Sequence, residues 1–168
     1  MLKTERLELI PLSPRQLRLW VEDLPKLEQE LSCSYQAEPL TGFFLEIVKG
    51  QIAAAEGDPE NYCWHSFWLI TRKSDRVVVG SVDFKNVPDC NGEVEIGYGL
   101  GKPFEHNGYM TETVQAMCRW AFSQDGVRKV TAETEKDGYA SQRILERCGF
   151  KKCREGDSIW WEADKLCR

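Results

Sequence analysis

The residues best placed to do chemistry fall in one run, Glu93-Val94-Glu95-Ile96-Gly97-Tyr98-Gly99-Leu100, which leads through a short loop to Gly108. Strand alternation sends Val94, Ile96, Tyr98 and Leu100 to one face, and Glu93, Glu95, Gly97 and Gly99 to the other. The second face then carries two carboxylates, able to bind a cation or take a proton, beside two positions with no side chain. Glycine inside a strand marks a bulge or a place where a ligand approaches the backbone. The loop enters a helix at Gly108, where free N–H groups and the positive dipole end make a natural phosphate site. A strand, a glycine-bearing turn and a helix also occur with no ligand, so spacing alone leaves a purely structural turn open. There is no GxGxxG after a first strand and no GxxxxGK[ST], so a dinucleotide-binding Rossmann fold and a P-loop are both poorly supported.

Metal and thiol chemistry find little support. The seven cysteines (33, 63, 90, 118, 148, 153 and 167) are odd in number, and none is spaced as CxxC. Neither His65 nor His106 lies near a cysteine pair, so no metal is expected. Free cysteines of this kind act as small hydrophobes, and Cys148 falls on the apolar side of its helix. His65, beside Trp64, reads as a structural residue in a strand, whereas His106 lies in the loop that would face a phosphate.

The elements that must hold this run follow from periodicity. Arg6 to Leu12 alternates as a strand, and Ser13 to Leu31 repeats apolar residues at three and four with a break at Pro25, which predicts two short helices. Thr41 to Ala55 is a third amphipathic helix. Trp64 to Thr71 and Arg76 to Phe84 read as a hairpin about Ser74-Asp75, and Glu93 to Leu100 follows a turn at 89–92. Tyr109 to Ser123 is a helix, Val127 to Thr134 a strand, Tyr139 to Cys148 a short helix, and Phe150 to Glu162 two final strands. The strand–helix–strand order predicts that strands 93–100 and 127–134 lie side by side and parallel. With 168 residues and no linker or repeat, residues 1–168 are expected to form one α+β domain.

The formal charge of −5, with no dense Lys/Arg block, disfavours nucleic acid and suits a cationic partner. No apolar run reaches the roughly 18 residues that span a membrane, and the first residues lack a signal pattern. A cytoplasmic protein is the expectation.

Three segments together carry a resemblance: Glu95-Ile96-Gly97-Tyr98, Gly108-Tyr109-Met110-Thr111-Glu112, and Arg143-Ile144-Leu145-Glu146-Arg147-Cys148-Gly149-Phe150. In this order and with these gaps the chain resembles a GNAT N-acetyltransferase, nearest the RimJ/RimL-like ribosomal-protein branch, from about residue 2 to 163. The Leu2-Lys3-Thr4-Glu5-Arg6-Leu7 opening is similar to that branch as well. The resemblance implies a mixed, mostly antiparallel sheet with a central parallel pair, flanked by helices. It also implies acetyl-CoA as cosubstrate and an amine as acceptor, joined by direct transfer in a ternary complex.

The family's acyl-CoA signature, Q/R-x-x-G-x-G/A, falls on Glu105, His106, Asn107, Gly108, Tyr109 and Met110, with only Gly108 strictly matched. Thr111 and the strand residues Tyr98, Gly99 and Leu100 complete the implied cofactor site, with an oxyanion donor among the backbone N–H groups of 98–100. The Asn-x-x-Ser pattern before the last helix falls on Gly138 and Ser141, and Asp137 is expected to cap that helix in place of the missing asparagine. The position at which many members carry a proton-donating tyrosine is Leu145, which leaves Ser141 or water to protonate the thiolate. Glu95 is expected to act as general base, directly or through water, with Glu93 able to share the role. One of Trp160 and Trp161 should pack in the core while the other lines the acceptor pocket, which Trp20, Phe43 and Phe44 could cover. A protein or peptide α-amine, a small amine such as a polyamine, an amino acid or an antibiotic, and an idle acyl-CoA-binding protein all stay open. A homodimer stays open too.

Overall fold

The computed structural model describes residues 1–165; Cys167 lies outside them. Burial follows alternation from the start. In β2 (Leu7–Pro11) Leu7 and Leu9 are fully buried while Glu8 turns outward, beside the short β1 (Leu2–Lys3). Ser13 closes a capping box with Gln16 and starts α1 (Pro14–Glu22). Asp23 then caps α2 (Leu24–Leu31), where Pro25 sits in the first turn and costs no hydrogen bond. The break at Pro25 is thus the start of a second helix. A two-residue β3 (Ser34–Tyr35) and the long α3 (Gly42–Gly57) complete the front of the chain.

The strand expected from Trp64 begins later. Tyr62–His65 is a single helical turn, α4, and β4 runs Phe67–Arg72. The aromatic content of that stretch suggested a strand, but tertiary packing decides otherwise. The Trp64 ring lies 5.0 Å from Phe84 and 4.6 Å from Trp120, deep in the core. His65 is therefore on a helix, its Nε2 3.2 Å from Asp58 Oδ2.

β5 (Val77–Phe84), β6 (Glu93–Leu100), α5 (Tyr109–Ser123), β7 (Lys129–Thr134), α6 (Tyr139–Arg147), β8 (Lys151–Glu155) and β9 (Ile159–Asp164) follow in the order expected. The strands form one mixed sheet in the order β1-β2-β4-β5-β6-β7-β9-β8, with β3 parallel to the start of β5. Among the longer strands, the β6–β7 pair alone is parallel. Alternation in β4 shows why two layers of helix are needed. Trp68 and Ile70 join one apolar cluster with Met110, Val114, Met117 and Leu145 of α5 and α6, while Phe67 and Leu69 join another with Leu17, Trp20, Val48 and Ile52 of α1 and α3. Hence α5 and α6 cover one face and α1–α3 the other.

Candidate active site

The parallel pair is short. β6 and β7 pair only at Glu93–Lys129, Val94–Val130 and Glu95–Thr131. Beyond Glu95, β6 keeps β5 as partner through Leu100, while β7 keeps β9 through Thr134. The two strands splay apart, and the gap opens beneath the first turns of α5 and α6.

Which β6 backbone groups face the gap follows from its hydrogen bonds to β5. Lys85 N–H donates to the Glu95 carbonyl (3.0 Å), and Gly101 N–H donates to that of Val79 (2.8 Å). Odd-numbered residues therefore turn their amides to β5, and even-numbered ones turn theirs the other way. Val94 confirms the phase, because its carbonyl accepts from Thr131 Oγ1 of β7 (3.3 Å). The N–H groups of Ile96, Tyr98 and Leu100 are thus presented along the open edge.

A cleft of about 520 Å³ occupies the gap. Tyr98, Gly99 and Leu100 form one wall, and Glu105, His106, Gly108, Tyr109, Met110 and Thr111 form the floor at the helix start. Ala140, Ser141, Arg143, Ile144 and Arg147 of α6 form the other wall, with Glu38 at one end. Of the cofactor residues expected from sequence, Asn107 and Gly138 stand outside this lining. Asn107 braces the loop: its side-chain amide donates to the carbonyls of Phe104 (3.1 Å) and Glu105 (2.9 Å). Gly138 lies in an adjoining depression with Ser141, Lys85 and Glu135.

The helix start leaves its first N–H groups without a side-chain cap. Gly108 adopts φ +76°, a left-handed conformation that favours glycine, and supplies no side-chain cap to α5. Arg6 clamps the turn from β2, donating from Nη1 to the Asn107 carbonyl (2.9 Å) and from Nε to Glu112 Oε2 (2.8 Å). Burial acts to raise the Glu112 pKa, but hydrogen bonds from Thr4 and Arg6 prevail and hold it below the usual range. α6 also starts without a capping side chain, so Asp137 does not cap it; only its carbonyl engages, accepting from Tyr139 N–H at 2.8 Å. Two uncapped helix starts and two arginines border one cleft, a donor set that fits the phosphates of acetyl-CoA.

In the sequence Arg143 and Arg147 stand inside a family motif with no role of their own attached. Their separation of four residues puts them on one face of a helix, a signal that was available. Glu105, the carboxylate in the signature, is half-exposed at the rim, 4.0 Å from His106 Nε2.

The alternation of β6 holds. Val94 and Ile96 are buried against α5, with Tyr98 and Leu100 packed beside them. The opposite face turns toward α1–α3. There Glu95 is ion-paired with Lys85, and Glu93 lies 3.6 Å from Lys129 Nζ. Neither lines the main cleft; both border a shallower depression with Lys85 and Thr131. The bare positions of β6 are filled from elsewhere. A Cβ on Gly97 would stand 2.7 Å from Asp83 Oδ1, and one on Gly99 would stand 3.4 Å from Glu38 Oε2. Asp83 is only 6% exposed, with Gln51 Nε2 of α3 3.4 Å from its Oδ2. Burial raises its pKa to about 6, a rise that Glu95 adds to and that Lys85 and Gln51 oppose. Asp83, Glu38 and Gln51 escaped the sequence reading because each reaches β6 from a different element.

Several other residues settle into plain roles. Leu145 is fully buried. The Tyr98 hydroxyl lies 3.4 Å from the Ser141 carbonyl, and burial pushes its pKa up to about 12. Burial also pushes the Cys148 thiol up to about 11, and its Sγ contacts the Thr111 carbonyl at 3.6 Å, so it is no ready nucleophile. Trp161 packs in the core and donates Nε1–H to Thr134 Oγ1 (3.0 Å). Trp160 does not line the cleft; the Arg154 guanidinium stacks 4.9 Å from its ring centre. Trp20 and Phe44 pack together against Phe67, whereas Phe43 is 82% exposed.

The family described as "Acetyltransferase (GNAT) domain" matches residues 6–151. The chain belongs to the GNAT acetyltransferase family. A relative, the uncharacterized N-acetyltransferase YjdG of Bacillus subtilis, is 29% identical over 154 residues, covering 84% of this chain and 90% of that one. Among solved structures, the ribosomal-protein-S5-alanine acetyltransferase of Vibrio fischeri aligns with a TM-score of 0.71 at 15% identity, over 97% of this chain and 95% of that one. A chimera of the Vibrio cholerae spermidine N-acetyltransferase aligns with a TM-score of 0.67 at 12% identity, over 95% and 96%. Both share the GNAT fold seen here. The protein is an acetyl-CoA-dependent N-acetyltransferase, and the splay of β6 from β7 is where that family membership meets the local geometry.

Proposed function

We propose that this GNAT enzyme acetylates a primary amine that enters from the α1–α3 side of β6, by direct transfer in a ternary complex. The observation that carries this reading is the splay: one cleft joins the uncapped start of α5 to the open backbone edge of β6. The N–H groups of Tyr98, Met110 and Thr111, with Arg143 and Arg147, would hold acetyl-CoA, which supplies the activated acetyl thioester when bound. The N–H of Tyr98 or Leu100, turned to the gap and free of β7, is placed to polarise a carbonyl oxygen. Glu95 and Glu93 give the opposite face of β6 negative charge that draws a cationic amine, and Glu95 is the proton acceptor the sequence singles out. Ser141, on the cleft wall, supplies the proton for the departing sulfur. On this reading residues 1–168 act as a single domain.

A protein or peptide α-amine is the preferred acceptor, by analogy with the Vibrio fischeri enzyme. One observation favours a small polycationic amine instead. The carboxylates of Glu38 and Asp83, brought from other segments, lie over the bare Gly99 and Gly97 positions on the β6 face that carries Glu95, a row of negative charge spanning roughly 13 Å. Acetyl-CoA-dependent release of CoA, measured with peptides starting in Ala, Ser or Met and with spermidine, decides between them. Turnover of peptides alone supports the α-amine, and turnover of spermidine alone supports the polycation. Calorimetric titration with acetyl-CoA, with ATP as control, tests the donor site; no binding at millimolar acetyl-CoA would overturn it.

A further inference from the structure

We infer that Asp83 is the carboxylate that takes the proton from the incoming amine, with Glu95 held as the partner of Lys85. The inference rests on the acetyltransferase reading above and replaces Glu95, the carboxylate singled out from the sequence, with Asp83 as the proton acceptor. Asp83 belongs to β5, outside every segment that carries the family resemblance.

Three observations place it there. Gly97, directly opposite Asp83 in the β5–β6 register, has no side chain, and the Asp83 carboxylate lies across the vacant position, 2.7 Å from where a Cβ would stand. This brings a carboxylate onto the α1–α3 side of β6, from which the amine is proposed to enter, between Tyr98 and Ile96, whose backbone amides line the opened gap. Second, Asp83 is buried with Gln51 as its side-chain hydrogen-bond partner among the described residues, at the long distance of 3.4 Å. A buried carboxylate with so little compensation costs stability, and such groups gather where chemistry needs them. Third, Glu95 is already ion-paired with Lys85, so it must give up a cation before it can take a proton.

The groups facing Asp83 are few. Lys85 on its own strand and Glu95 on β6 are the charged ones, Gln51 reaches it from α3, and its register partner on β4 is the apolar Phe67. Burial among these raises its pKa to about 6, so it is ionised at neutral pH yet a better proton acceptor than an exposed carboxylate. The step balances simply. Asp83 removes one proton from the ammonium, and the freed nitrogen lone pair forms the amide bond as the carbon–sulfur bond breaks. The second nitrogen proton ends on sulfur, and Asp83 returns its own to solvent.

The test compares wild type, Asp83→Asn, Glu95→Gln and Gly97→Ala. Acetyl-CoA binding is read by calorimetry, and kcat/KM is followed from pH 5 to 9 with whichever of spermidine, ethanolamine or the Ala-, Ser- and Met-initiated peptides wild type acetylates. The amine's own ionisation is common to all four proteins and cancels in their ratios. Asp83→Asn should bind acetyl-CoA as wild type does, lose about 100-fold or more in kcat/KM, and lose the fall in activity below about pH 6. Gly97→Ala, whose Cβ displaces the carboxylate without altering it, should lose activity but keep that fall. The thermal midpoint of Asp83→Asn relative to wild type should rise between pH 5 and 8, which needs no turnover.

Activity of Asp83→Asn within threefold of wild type would overturn the inference. So would an acid limb that vanishes in Glu95→Gln instead, or a midpoint difference that stays flat with pH. A wild type that binds no acetyl-CoA, or acetylates no amine, would remove the functional reading itself and the inference with it.

Discussion

The two sides of β6 are built by different means. On the α5–α6 side the cleft is made of backbone: an open strand edge, a left-handed glycine and two uncapped helix starts, with Arg143 and Arg147 added. On the α1–α3 side the strand offers two bare glycines, and side chains from other elements fill the space: Glu38 after β3, Gln51 from α3, Asp83 and Lys85 from β5. A backbone site tolerates exchange of side chains, so on the proposed reading Glu105 and Met110 can stand where the family signature has other residues. A site of borrowed side chains is free to vary with the acceptor, because each contributor sits in an unrelated part of the chain.

That contrast can be broken at several points. The largest effect is expected at Leu145, whose buried side chain seats α6 on the core. Leu145→Ala should cost about 3 kcal/mol in a denaturant titration and weaken acetyl-CoA binding with it. Arg143→Ala with Arg147→Ala should weaken acetyl-CoA binding by about 3 kcal/mol, roughly 100-fold, with the loss shrinking at high salt. The same pair should leave thermal stability nearly unchanged, since both side chains face the cleft.

Asp83→Asn should act in the opposite sense, raising stability while lowering turnover. Its folded pKa, about 6, lies above the ordinary aspartate value of 3.8. The folded state therefore binds more protons between those two values, so the group's favourable contribution is complete below 3.8 and is lost as pH rises through 6. The variant should gain about 3 kcal/mol over wild type at pH 8, and the gain should fade toward pH 4.

Glu112 supplies the contrary pH dependence on the donor side. Its lowered pKa contributes stability that is present at neutral pH and lost as pH falls through the carboxylate range. Glu112→Gln should cost about 2 kcal/mol at pH 7 and progressively less in acid, read from thermal midpoints. The smallest effect belongs to the exposed Arg18–Glu56 pair, at 2.6 Å. Its removal by Arg18→Ala should leave the thermal midpoint indistinguishable from wild type and touch neither half of the site.

The same contrast governs what the sequence could tell. Apart from Glu38 at the cleft's end and the clamp from Arg6, the donor side comes from one contiguous stretch plus one helix, so the order of β6, Gly108, α5 and α6 could be read directly, and so could the parallel β6–β7 pair. Local patterns also placed the two short helices of 13–31 and the break between them at Pro25. The strand expected from Trp64 failed because the aromatic residues there serve the core through a helical turn, which local preference does not encode. Asp137 failed as a cap because only its carbonyl engages the helix start. Asp83 could not be singled out, because its meaning depends on a glycine 14 positions later that faces it only once β5 and β6 pair. Arg143 and Arg147, by contrast, carried a readable helical spacing.

The most direct test of the two-sided account is calorimetric titration of acetyl-CoA into wild type, the Arg143→Ala/Arg147→Ala double variant and Asp83→Asn. The account predicts clear binding to wild type, roughly 100-fold weaker binding to the arginine variant, and wild-type affinity in Asp83→Asn. Equal binding by the arginine variant, or lost binding in Asp83→Asn, would contradict the division of the site into a donor half and an acceptor half.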